Sequence, residues 1–272
     1  MRTLVVRLGA LGDAVLTLPA LAHLVAQGDE VTVLGVPASW SFLPGTCAIR
    51  IEDVEAPRWR GLFSGEEVEA ARAFDRAIIM LGMPAVMESL SRAGVPSLHI
   101  PPMRPGESGE HAAFRLLRGV DGSSPDPAAI RALIAADPDG VAHDLVLHPG
   151  SGGRLKRWPA ARFADLARRS SDPFVLLGPS EGDLAPAFDG VPVARDWPLR
   201  NVVSTLAAAR GFVGNDSGVS HLASWLCPTL ALFGPTDPAV WAPAGPRARV
   251  LAAPAGDLAR LSVEDVARQL SA

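Results

Sequence analysis

The stretch "GNDSGVSHLA", residues 214–223, follows an apolar run at 207–213 and leads into a second apolar segment. Asn215, Asp216, Ser217 and His221 crowd the point where a strand should simply turn into a helix. Asp216 or Ser217 in that position accepts free N–H groups of the following turn, the most frequent use of such residues at a helix start. Capping leaves His221 unexplained. It falls one turn beyond Ser217, on the face directed above the helix start. Strands that end in polar residues and feed helices build open α/β sheets, which bind ligands at the carboxyl ends of their strands.

The pattern repeats on both sides of this stretch. Upstream, short runs rich in Val, Ile and Leu at 4–8, 31–34, 77–81 and 97–100 read as strands, with a weaker one at 49–54. Residues 15–25 and 68–74 read as helices between them. A second series has strands at 145–148, 174–177, 212–213 and 230–233, and helices at 160–169 and 202–209. Such strands separated by helices predict parallel sheets buried on both faces. "GVDGSSPDPAAIRALIAADPDG", residues 119–140, is dense in Gly, Pro, Asp and Ser and reads as a linker between the two series. The boundary is placed within 121–142, giving domains 1–130 and 131–272.

Composition agrees with two domains. The 272 residues are 48% hydrophobic, ample for buried cores and wrong for disorder. A net charge of −4 gives no global reason to expect nucleic acid as a partner. Cys47 and Cys227 cannot form a disulfide framework and suit a reducing cytosol. No uninterrupted apolar run is long enough to span a bilayer. The first 24 residues mimic a signal peptide, but Arg7 and Asp13 break the apolar segment, so they read as strand, loop and helix. Of the 25 basic residues only Lys156 is a lysine.

Two further stretches fall at strand ends. In "RLGALGDAVLTLPAL", residues 7–21, Gly9 and Gly12 form a loop before a helix opening at Asp13. Glycines let backbone amides approach a ligand, and a helix start favours an anion. The spacing is not a dinucleotide fingerprint, which disfavours a dinucleotide oxidoreductase. Asp13 reads either as an N-cap or as a general base at the tip of the first strand. In "HPGSGGRLKRWP", residues 148–159, the loop of Gly150, Ser151, Gly152 and Gly153 supplies amide donors, and Arg154, Lys156 and Arg157 add positive charge. That combination suits phosphate. "LFGPTDP", residues 232–238, follows the next strand and reads as a turn.

Other features carry less. "DPD" at 137–139 matches the acid-x-acid pattern of metal-dependent sugar transferases but lacks a preceding apolar strand, so it reads as a chance match. The histidines, among them His99, His111 and His143, have no metal-ligand spacing. No G-x-S-x-G elbow makes Ser217 or Ser220 a hydrolase nucleophile. Arg58, Trp59 and Arg60 read as a basic, aromatic surface knot able to meet an anionic acceptor.

Taken in register, "VVRLGALGDAVLTLPAL" (5–21), "HPGSGGRLKRWP" (148–159) and "FVGNDSGVSHLASWLCPTLALFGPTDPAVWAP" (212–243) resemble glycosyltransferase family 9, the ADP-heptose:lipopolysaccharide heptosyltransferases. The resemblance implies an α/β chain of GT-B fold, with two Rossmann-like domains whose parallel sheets face a central cleft. It implies that domain 1–130 binds the acceptor and domain 131–272 the nucleotide-sugar donor. The implied reaction is inverting, metal-independent transfer of heptose from ADP-heptose to a lipopolysaccharide inner-core sugar or other glycan. By the same likeness Asp13 matches the catalytic base, Ser151 and Lys156 match donor-phosphate contacts, and Asp216, Ser217, Gly218 and His221 match the D-S/T-G-x-x-H donor motif. Gly12 and Gly152 join the donor set as close-approach glycines. No cofactor is expected beyond the donor as co-substrate. The expected location is cytoplasmic, in peripheral contact with the inner membrane. A sugar-nucleotide epimerase and a non-catalytic ADP-sugar-binding protein stay open as alternatives.

Overall fold

The computed structural model describes residues 1–101, 103, 109–134 and 140–271. The chain divides into two compact units, Met1–Ala135 and Ala136–Ala272. The "DPD" tripeptide lies outside the described residues.

The first unit runs β1 (Arg2–Val6), α1 (Leu11–Ala26), β2 (Glu30–Gly35), α2 (Pro37–Trp40), β3 (Ile49–Asp53), β4 (Arg76–Ile79), α3 (Pro84–Arg92), β5 (Ser97–His99), α4 (Ala112–Gly119) and α5 (Pro127–Ile134). All strand pairs are parallel, in the order β3-β2-β1-β4-β5, with Val5 opposite Val33 on one side and Ile78 on the other. The chain leaves β1 toward β2 and β3, then returns to the other side of β1 for β4. This reversal makes the carboxyl end of β1 the switch point where an open sheet presents a crevice. Leu4, Val6, Leu34 and Ile79 pack on one face with Trp59, Leu62, Val86 and Leu90. Helix α1 is buried from Ala14 through Ala22 and packs against α4 and α5, which explains an apolar sequence on all its faces.

The second unit runs β6 (Leu145–His148), α6 (Ala160–Ala167), β7 (Pro173–Leu177), β8 (Val193–Arg195), α7 (Leu199–Ala208), β9 (Phe212–Asn215), α8 (Gly218–Leu226), β10 (Thr229–Phe233), α9 (Pro238–Trp241), β11 (Ala248–Ala252) and α10 (Val263–Ser271). Its six strands are parallel in the order β11-β10-β9-β6-β7-β8. Here the switch point lies between β6 and β9. Leu147, Val175, Val213 and Leu232 pack with Trp158, Phe163 and Val266, and each such large side chain stabilises the unit by roughly 1.5–3 kcal/mol through burial.

Several expectations are corrected. The helix expected at 68–74 is a 3-10 turn, Glu69–Ala73, because Asp75 is drawn out to the Arg2 N–H (2.7 Å) at the start of the β1–β4 ladder. The linker at 121–142 contains α5, which Asp126 caps by accepting from the N–H groups of Ala128 and Ala129, with Pro127 as first residue. Trp59 is not a surface aromatic. It is 1% exposed, and its indole N–H donates to Glu52, which also holds Arg58.

Candidate active site

In the second unit the loops after β6 and β9 adjoin at the switch point, and one buried side chain stitches them together. Asn215, the last residue of β9, is fully buried. Its Oδ1 accepts from the Trp158 N–H (2.9 Å), and its Nδ2 donates to the Pro149 carbonyl (2.8 Å). Trp158 is itself pinned, its indole N–H donating to the Leu261 carbonyl (3.0 Å) while its ring meets Phe163 edge-on. Residues 149–158 are thereby held at both ends. Within them, the Arg157 guanidinium donates to the Ser151 carbonyl from Nε and Nη2 (3.2 and 3.0 Å).

This frame brings Ser151, Lys156 and Asp216 into direct contact. Ser151 Oγ donates to the Asp216 carbonyl (2.7 Å), and Lys156 Nζ lies 2.8 Å from Asp216 Oδ2. The same oxygen accepts from Thr236 Oγ1 (2.7 Å), which arrives from the turn after β10. The carboxylate is 8% exposed and the lysine side chain 36%, so the cation is the accessible partner. Ser217 is the N-cap of α8, its Oγ accepting from the Ser220 N–H (3.3 Å), and Gly218 is the first residue of that helix. Of the two capping candidates, Ser217 caps and Asp216 does not. The first-turn N–H groups of α8 have no acceptor within the helix and carry the positive end of its dipole. His221 sits buried within α8, one turn beyond the cap.

Gly150 and Gly152 are glycines under different constraints. A side chain at Gly150 would overlap the Glu181 carboxylate, which approaches to 1.7 Å of an added Cβ, whereas nothing lies within 4 Å of one at Gly152. Glu181 is buried, accepts from the Gly178 N–H (2.7 Å) and stands 3.8 Å from His148 Nδ1.

In the first unit, Gly12 and Asp13 sit at the end of β1. The helix was expected to open at Asp13; it opens at Leu11, with Ala10 as N-cap. The cause is Asp13 itself, whose Oδ2 reaches back to accept the Ala10 N–H (3.1 Å), so Gly12 and Asp13 belong to the first turn. Gly9 has a φ of +129°, and an added Cβ would meet Asp13 Oδ2 at 2.4 Å, so both conformation and space demand glycine there. The other oxygen, Oδ1, accepts from Arg7 Nη2 (2.8 Å), while Arg7 Nη1 donates to the Met80 carbonyl (3.1 Å). Burial works against the Arg7 cation and lowers its pKa, an effect that neighbouring Asp13 opposes. The Asp13 side chain is 42% exposed and that of Arg7 only 9%.

Asn215 was noted at the strand end without a role, and Thr236, Glu181 and Arg7 were not among the expected site residues. Asn215, Thr236 and Arg7 act through partners 20 to 73 residues away, so no local spacing marks their roles. Glu181 is the partial exception. Among the described residues no group of three or more His, Cys, Asp or Glu side chains could hold a metal ion, and no helix is long and apolar enough to cross a membrane.

Known proteins resemble this chain in sequence and fold. The profile of "Glycosyltransferase family 9 (heptosyltransferase)" matches residues 126–270, more than half of the chain. The lipopolysaccharide heptosyltransferase 1 of Pseudomonas aeruginosa is 28% identical over 283 residues, covering 88% of this chain and 80% of that protein. Its namesake in Escherichia coli strain K12 is 24% identical, covering 100% and 99%. Among solved structures, E. coli heptosyltransferase WaaC with ADP superposes with a TM-score of 0.75 at 23% identity, covering 100% of this chain and 99% of that one. E. coli ADP-heptose lps heptosyltransferase II gives 0.76 at 18%, covering 100% and 98%. These likenesses fix the α/β fold as GT-B, two units each with a parallel sheet. With its profile match and its relatives, the chain belongs to glycosyltransferase family 9 and is a glycosyltransferase.

Proposed function

We propose that the protein transfers heptose from ADP-heptose to a sugar of the lipopolysaccharide inner core, inverting the anomeric centre without a metal ion. The second unit binds the donor and the first binds the acceptor. The observation that carries the reading is the contact of Ser151, Lys156 and Asp216 beside the start of α8, inside the segment matched by the family profile. That cluster offers what a diphosphate needs, namely an accessible ammonium, a serine hydroxyl and oriented N–H donors. Relatives named for lipopolysaccharide heptose transfer, and a solved relative holding ADP-2-deoxy-2-fluoro heptose, support the donor and acceptor classes.

In this mechanism Asp13 accepts the proton of an acceptor hydroxyl. The hydroxyl oxygen forms a bond to the anomeric carbon from the face opposite ADP, and the bond from that carbon to the β-phosphate oxygen breaks. ADP leaves with the electron pair. Lys156 and the N–H groups of Ser217 and Gly218 stabilise the charge on the departing diphosphate, a role that metals fill elsewhere. On this reading the reaction takes place at the cytoplasmic face of the inner membrane, in peripheral contact with it. ADP release from ADP-heptose is measured with truncated lipopolysaccharide cores and without acceptor. Acceptor-dependent ADP release with heptose on the core supports transfer. Altered free sugar without acceptor would indicate an epimerase, and ADP-heptose binding without turnover would indicate a sensor.

A further inference from the structure

We infer that Arg7 is a positioning residue for the reaction, holding the Asp13 carboxylate in the orientation from which it takes the acceptor's proton. This rests on the reading of Asp13 as the base. Arg7 follows β1 directly and is anchored from below by the Met80 carbonyl, which follows β4 (3.1 Å). Its second nitrogen fixes Asp13 Oδ1 (2.8 Å), while the Ala10 N–H fixes Oδ2 (3.1 Å). Each carboxylate oxygen so accepts one hydrogen bond from the protein and retains further acceptor capacity, and the side chain as a whole is 42% exposed. Gly9 packs against Oδ2, leaving no room for a side chain that would turn the carboxylate away.

Capping alone does not account for this arrangement. The cap uses only Oδ2, and an aspartate at the third helical position needs no buried cation to make it. Arg7 instead brings a guanidinium to 9% exposure and leaves its Nε buried without a hydrogen-bond partner among the described residues. Burial of that kind is costly, and an aliphatic side chain would fill the space without the cost. The cost matches a planar fork that bridges a fixed carbonyl and a working carboxylate, which a lysine reproduces poorly.

The test is a double-mutant cycle with Arg7→Met, Arg7→Lys and Asp13→Asn, read as kcat, donor KM and melting temperature. Arg7→Met should lower kcat on the order of 10²-fold, the scale of a misplaced catalytic group. Donor KM should stay within about twofold, because the cost falls on chemistry rather than on donor binding. In the Asp13→Asn background the same substitution should cost less than about threefold, since no base remains to be positioned. Arg7→Lys should fall between Arg7→Met and the wild type, and guanidinium ion should restore part of the activity of Arg7→Ala. A folded Arg7→Met with wild-type kcat overturns the proposal, as does a loss of equal size in both backgrounds or one that appears in donor KM. If Arg7→Met does not fold, Arg7→Lys in the two backgrounds decides on the same criteria. Failure of the base reading looks different: Asp13→Asn itself would turn over normally.

Discussion

Lys156→Ala tests the proposed donor site most directly. At 2.8 Å the ammonium and the Asp216 carboxylate attract by about 6 kcal/mol at an effective dielectric constant near 20, most of it offset by desolvation of the two groups. Lys156 is 36% exposed, so the net value of the pair resembles that of a surface ion pair, about 1 kcal/mol. A diphosphate competing for Nζ gives up that small amount and gains a charge-assisted contact of about 1.5–3 kcal/mol. Lys156→Ala should weaken ADP by about 1–2 kcal/mol, or roughly 5- to 30-fold in Kd. The fold should survive, because the lysine lies on a partly exposed 3-10 turn, Arg154–Lys156. Titration calorimetry with ADP reads the first quantity and thermal unfolding the second. Asp216→Asn supplies the counter-test. A carboxylate beside a diphosphate repels it, so the variant should bind ADP at least as well as wild type while losing stability through its buried bonds to Lys156 and Thr236. Unchanged ADP affinity in Lys156→Ala would refute the reasoning. So would a tenfold weaker Kd in a folded Asp216→Asn, which would make Asp216 a direct ligand of the phosphates.

Asp13→Asn keeps an oxygen for the Ala10 N–H but cannot take a proton and turns its amide toward the buried Arg7 guanidinium, so turnover should fall on the order of 10²–10⁴-fold with donor binding nearly unchanged and the melting temperature lowered. Normal turnover on the same preparation would make Asp13 a cap only. Gly150→Ala drives a Cβ into the Glu181 carboxylate and should cost about 1–3 kcal/mol, the price of displacing a buried hydrogen-bonded acid, measurable as a lower denaturant midpoint. Asp29 gives the pH dependence. Burial raises its carboxyl pKa, but hydrogen bonds from Arg76 and Thr3, the Arg76 charge and the amino terminus outweigh that and hold it below the ordinary range. Its stabilisation is therefore complete above about pH 4, the unfolded value, and is lost as pH falls through the lower folded value. Asp29→Asn should be less stable than wild type at pH 7, with the difference shrinking toward pH 2; a constant difference would show that the charge is irrelevant.

What the sequence disclosed follows from how each element is stabilised. Strands β1, β2, β4, β6, β9 and β10 are buried on both faces and therefore spell continuous apolar runs. The edge strand β11 is mostly exposed or half-buried, and β8 has only three residues, so neither carries that signature. Helices α3 and α10 mix charge with apolar residues and were passed over, although Ser262 and Asp265 cap α10 reciprocally, N–H to side chain in both directions. The strand-end motifs were legible because glycines and polar residues interrupt apolar runs there. What joins them was not. The Asn215–Trp158 bond spans 57 residues, and the overlap that fixes Gly150 comes from Glu181 in a different loop. Arg7 read only as an interruption of an apolar segment, because its meaning depends on Met80 and on the fold of the first helical turn.

The two units solve a similar local problem with opposite exposure. Each places a carboxylate at its switch point and pairs it with a cation at 2.8 Å. In the first unit the cation is buried, at 9%, and the carboxylate is presented, at 42%. In the second the carboxylate is buried, at 8%, and the ammonium is presented, at 36%. A buried partner is held by the protein, whereas an exposed one is free to change partners, so on the proposed reading burial decides which member of each pair meets a ligand. An arginine suits the buried cation because its fork satisfies two acceptors at once. A lysine suits the presented one because its compact charge on a flexible stem can leave Asp216 for a phosphate oxygen. In a chain that otherwise uses arginine for every basic residue, the single lysine stands where the proposed donor site calls for a mobile point charge. On the proposed mechanism, a presented carboxylate in one unit and a presented ammonium in the other complement a hydroxyl that loses a proton and a diphosphate that leaves.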